Sequence, residues 1–121
     1  VFYGQTQLGN ATFAVTSSGE AAPDPVVVTS AAAGGTQPTP LEAVLVRVEN
    51  VVVSQLEPPA GPGDTNPNNE FVVDGVLRVN DLMHLASPFP ILGTVYTSVT
   101  GILSYRNNFS KLEPRAQSDL S

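Results

Sequence analysis

The sequence contains no cysteine, so neither a disulfide framework nor a thiolate zinc site can form, and thiol catalysis is excluded. Charge is scarce as well: 13% of the residues are charged, with five basic against eleven acidic. The resulting formal charge of −6 repels nucleic-acid phosphates instead of releasing their counterions, which counts against non-specific DNA binding. No run approaches the roughly 20 apolar residues of a membrane helix, so no membrane span is expected. The first residues lack the basic-then-apolar pattern of a signal peptide, and the numbering is expected to start inside a mature or truncated chain. There is one histidine, His84, and no G-x-S-x-G elbow, which leaves a nucleophilic triad only Asp81 nearby in sequence. Asp74 sits in a turn, and Glu42, Glu49 and Glu57 are scattered along or beside one strand, so no hydrolase pair of carboxylates emerges. No catalytic residue is assigned.

What is present suits a globular, all-β chain. With 121 residues, 41% of them apolar, there is one core to bury. Ten glycines and eleven prolines, with valine in short runs, favour strands and turns over helices. Residues 1–17 read as an N-terminal hairpin, in which Phe2, Leu8, Phe13 and Val15 carry enough apolar surface to require cover from the same chain or a neighbouring one. Self-association through this hairpin is therefore one expected partner mode. Residues 18–121 form the main domain. Val26 to Val28 reads as a short buried strand, followed by a helical turn over Ala31 to Ala33 with Ser30 as its N-cap and Gly34-Gly35 at its end.

Val44 to Val53 is the clearest strand, with Val44, Val46 and Val48 on one face at period two. The alternation slips at Asn50, and one extra residue near Glu49-Asn50 would return Val51 and Val53 to the core face, as a β-bulge does in a bent strand. Residues 57–69 hold Pro58, Pro59, Pro62 and Pro67 and read as a long exposed loop. Asp74-Gly75 between apolar runs marks a tight hairpin. Asn80 to Leu85 suggests a short helical turn, and Pro88 and Pro90 an extended loop. Val95 to Tyr105, kinked at Gly101, and Phe109 to Pro114 complete five strands, a spacing that suits a small barrel. Val95, Val99 and Leu103 are expected in the core, with Tyr96, Ser98 and Thr100 on the opposite face.

The phrases LEAVLVRVENVVV, NEFVVDGVLRVNDLM and GTVYTSVTGILSYRNNFSKLEPRAQSDL occur in that order. They resemble the OB-fold accessory module of bacterial extracellular nucleases and related secreted multidomain proteins, over roughly residues 23–120. The resemblance implies a five-stranded OB-type barrel, an extracellular location, and a non-catalytic binding or spacer role beside other domains of a parent protein. Tyr3 to Leu8 looks like a shorter copy of Tyr105 to Leu112, so residues 1–16 are expected to be the end of a preceding module or a swapped strand pair.

Two candidate sites follow. Asp64, Asn66, Asn68 and Glu70 place oxygen-bearing side chains at alternate positions, as calcium prefers, although the stretch lacks the full EF-hand pattern and such residues also populate ordinary loops. A phosphodiesterase acting through a metal at this stretch is the enzymatic alternative. Arg106, Lys111 and Arg115 cluster around the final hairpin with Tyr105 and Phe109 interleaved, and Arg47 and Arg78 extend the set if their strands are neighbours. Aromatic and basic residues on a strand face suit single-stranded nucleic acid, and an oligosaccharide is the other ligand class considered. The bland alternative is that these cations balance nearby acids such as Glu113 and Asp119. The sequons at Asn10 and Asn108 are taken as chance matches.

Overall fold

The structure, a computed structural model, describes residues 7–121. Runs of valine at period two build most of it. Strand β1 (Val26–Val27) is followed by α1 (Ser30–Ala33), the long β2 (Leu45–Leu56), the hairpin β3 (Phe71–Val73) and β4 (Leu77–Val79), then β5 (Val95–Arg106), β6 (Phe109–Glu113) and a 3-10 turn at Gln117–Asp119. The ring runs β2-β3-β4-β6-β5 and closes where β5 returns to β2, while β1 lies outside it, parallel to β2. Strands β4 and β6 are parallel and the other ring pairs antiparallel. This is the expected five-stranded OB-type barrel.

Closure depends on β2 serving two partners. Leu45 to Val52 pairs with β5, and Val53 to Leu56 pairs with β3. The bulge lies at Ser54, between the Val53/Val73 and Gln55/Val72 pairs, and not at Glu49-Asn50. The extra residue is held by its hydroxyl, which donates to the Val72 carbonyl at 3.1 Å and accepts from the Gly75 amide at 2.8 Å.

At Asn50 the slip has a different origin. Asn50 has φ 53° and drops out of the ladder together with Thr97 opposite, while the register on either side, Glu49 with Ser98 and Val51 with Tyr96, is the same. Both strands therefore change face at one level, with no inserted residue. Val46, Val48, Val51 and Val53 are buried as expected, and Val44 is half-buried against them. On β5 the matched slip overturns two expectations: Val95 is 67% exposed, and Tyr96 packs on the core. Val99 and Leu103 are buried as expected.

Phe71 anchors one end of the core, edge-on to Phe89 at 5.9 Å and stacked with Tyr96 at 6.0 Å. The helical turn α1 closes on the barrel through buried Ala33; its N-cap is Thr29, not Ser30, and Thr29 Oγ1 accepts from the Ala32 amide at 3.2 Å. Ser30 instead donates to Asp74 Oδ2 at 2.6 Å. A Cβ on Gly34 would stand 2.5 Å from the Val76 carbonyl oxygen, so only glycine lets this turn approach the β3–β4 hairpin. That hairpin turns at Asp74 (φ 52°) and Gly75 (φ 73°) as read from the sequence. Asn80 to Leu85 is irregular, without the expected helical turn, and Val26 and Val27 are exposed instead of buried. Residues 7–16 contain no strand, and Leu8, Phe13 and Val15 are exposed, so the same chain does not cover them; Phe2 lies outside the described residues. Among the described residues, no helix is long and apolar enough to cross a membrane.

Candidate functional site

Because side chains alternate, placing Leu77, Val79 and Leu112 in the core turns Arg78 and Lys111 to the outer face of β4 and β6. The two cations are direct neighbours across the parallel pair, Arg78 opposite Lys111. Two such charges side by side need an anion, and the loop of residues 57–70 supplies it.

Glu70, fully buried, accepts from Arg78 Nη1 at 2.9 Å through Oε2 and from the Lys111 ammonium through Oε1. Lys111 is 1% exposed and donates also to Asp64 Oδ2 and to Asn107 Oδ1, each at 3.2 Å, so its three protons are all engaged. Arg78 additionally donates to the Pro59 carbonyl at 3.0 Å and lies over the Phe109 ring, 3.5 Å from its centroid.

The loop itself is closed by Glu57. Its Oε2 accepts from the Asn68 and Asn69 amides at 2.8 and 3.1 Å, and its own amide donates to the Glu70 carbonyl at 2.9 Å. Pro58, Gly61 and Asn68 are buried, which corrects the expectation of a wholly exposed loop. At Gly61 a Cβ would fall 2.0 Å from the Asn107 carbonyl oxygen, so the loop rests directly on the β5–β6 turn.

Two clefts adjoin this buried network. One, of about 350 Å³, is bounded by Gln55, Pro58, Pro59, Val72, Arg78 and Phe109. The other, of about 580 Å³, is bounded by Gln37, Gly61, Pro62, Tyr105, Asn108 and Phe109. They meet at Thr36 and Phe109, which line both. Thr36 is fixed by a strap after α1: Gly35 donates to Val76 O at 3.2 Å and accepts from the Ser110 amide at 2.9 Å, and Tyr105 donates its hydroxyl to Thr36 O at 3.0 Å.

The sequence-expected ligand residues are only partly assembled. Arg78, Tyr105 and Phe109 line the clefts, and Lys111 lies beneath them. Arg106 and Arg115 line neither cleft. Arg115 instead makes a fork to Asp119, Nε at 2.9 Å and Nη2 at 2.8 Å, and this pairing holds the Asp119 carboxyl below its ordinary range. Arg47 donates to Thr100 Oγ1 at 3.1 Å and also lies outside the clefts. Of the calcium candidates, Asp64 and Glu70 converge on the Lys111 ammonium, and Asn68 spends its amide on Pro58 O and its carbonyl on the Glu70 amide. Asn66 is exposed, and no group of three metal-ligating side chains occurs among the described residues. His84 meets Gln117 at 3.1 Å, and Asp81 accepts from Asn69 at 3.0 Å.

Sequence reasoning missed the burial of Glu70 and Lys111. Arg78 and Lys111 on like faces of neighbouring strands were a signal that a carboxylate must bridge them. Comparison with protein-family models, with curated proteins and with solved structures finds no match to this chain.

Proposed function

We propose that the chain is a non-catalytic carbohydrate-binding barrel, an accessory module of a secreted multidomain protein, which takes a neutral oligosaccharide across the two clefts that meet at Phe109. One observation carries this reading: the cations beside the groove are already committed to internal carboxylates. A ligand phosphate arriving at Lys111 would have to displace Glu70, Asp64 and Asn107 from a buried ammonium. Breaking such a pair is costly, and the acidic total adds long-range repulsion.

The remaining groups are those that suit a sugar. Gln37, Gln55 and Asn108 offer uncharged donors and acceptors, and the half-buried Phe109 with the neighbouring prolines offers apolar surface for a ring face. The position agrees with OB barrels in general, which bind oligonucleotides and oligosaccharides on this strand face and its flanking loops. Calorimetry with a panel of neutral oligosaccharides tests the reading. Binding to at least one of them, lost in Phe109→Ala and kept in Arg115→Ala, is the expected result. Binding of none, or binding that Phe109→Ala leaves intact, would reject it.

A further inference from the structure

A second buried carboxylate, on the same strand as Lys111, has no cation. Glu113 is 1% exposed, and its Oε1 accepts from Ser104 Oγ at 2.8 Å and Asn80 Nδ2 at 3.0 Å. Its Oε2 is buried with no hydrogen-bond partner, the one such side-chain atom among the described residues. The Leu82 amide lies close enough to favour the charged form slightly, without reaching hydrogen-bond geometry. A buried polar atom left alone is uncommon and points to a partner that the protein does not itself supply.

Glu113 also lines an open cleft of about 180 Å³, separate from the clefts at Phe109. Its walls include Leu82, Met83 and Ile102, and Glu42 stands with Glu113 as a second carboxylate; no cationic side chain lines it. Leu82 and Met83 are 52% and 57% exposed, so this wall of the cleft offers apolar surface to a ligand. Arg106 acts on Glu113 only at a distance, through its charge.

We propose that this cleft binds a primary alkylammonium group, such as a lysine side chain or a free alkylamine. The charge meets Glu42 and, once the cleft wall shifts to admit it, the buried Glu113 Oε2, and the alkyl stem lies against Leu82, Met83 and Ile102. An ammonium supplies the missing donors and the missing charge together, whereas an alcohol supplies a donor without the charge.

The test is an NMR titration of the full chain with n-butylammonium, using n-butanol as the neutral isostere. The Leu82, Met83 and Ile102 methyl resonances should shift saturably, with butylammonium bound at least about tenfold tighter than butanol. Glu113→Gln should remove that preference while the remaining methyl spectrum stays dispersed as in the parent. If Glu113→Gln does not fold, Glu42→Gln and Leu82→Ser serve instead, the first narrowing the preference for the cation and the second weakening both probes. Equal binding of butanol, absence of a saturable shift, shifts centred elsewhere, or unchanged discrimination in the folded variants would overturn the proposal and leave Oε2 to an ordinary bound water.

Discussion

Glu70 and Glu113 are both buried almost completely, one at the loop end of β3 and one at the end of β6, yet they are satisfied in opposite ways. Glu70 is bridged to two cations that are themselves buried. Glu113 has two neutral donors on one oxygen and none on the other, and burial raises its carboxyl above the ordinary value of 4.5. The contrast separates a charge that locks two strands and a loop together from a charge left available. Only the first should behave as a structural element.

The largest expected effect comes from breaking the first arrangement. Glu70→Leu leaves both Lys111 and Arg78 buried without their main anion, and denaturation should show a loss of about 3–5 kcal/mol. Lys111→Met should cost less, because Glu70 keeps Arg78. The double variant should recover part of the loss, and additive losses would show that the groups do not act as one network.

A smaller effect is expected where the loop rests on the β5–β6 turn. Gly61→Ala drives a Cβ into the Asn107 carbonyl, and should cost about 1–3 kcal/mol by overpacking. The same change should weaken oligosaccharide binding, since Gly61 lines the groove. Unchanged stability would mean that the loop rides free of the turn.

Glu113→Gln sharpens the comparison from the other side. Glutamine keeps the acceptor for Ser104 and Asn80 without a buried charge, so stability near neutral pH should change by no more than about 1 kcal/mol. The pH dependence is the more telling readout. The folded value of Glu113 is raised above its unfolded one, so between the two the native state holds a proton that the unfolded state has lost. Its contribution is fully present below the ordinary glutamate value and is lost as pH rises through the raised folded value; Glu113→Gln should flatten that decline. Asp119 has the opposite sign: its carboxyl is lowered by Arg115, and its contribution is lost as pH falls through the lowered value. The Asp119 pair is partly solvated, so Arg115→Ala should cost no more than about 1 kcal/mol.

Much of the barrel was legible because burial on one face forces alternation, as in Val46 and Val48, and because Asp74-Gly75 supplies two positive φ values in succession. The matched slip was not legible. Asn50 signals it on β2, but its partner Thr97 gives no local sign, and every inference about the faces of Val95 and Tyr96 depended on the pairing. The site was legible as residue types and hidden as charges. Arg78, Phe109 and Lys111 were expected together, but whether a cation is free depends on an acid such as Asp64, 47 positions away from Lys111 in the chain. Glu113 was read only as a nearby countercharge, because the side chains that bind it, Ser104 and Asn80, lie 9 and 33 positions away in the chain.

The most direct test of the account is binding measured at two salt concentrations, with single-stranded DNA and a neutral oligosaccharide offered in parallel to the intact chain. If the groove's cations are spent on Glu70 and Asp64, the oligosaccharide should bind with an affinity that salt leaves unchanged, and the DNA should not bind at either concentration. Tight DNA binding that weakens steeply with added salt and is lost in Arg78→Gln would contradict it.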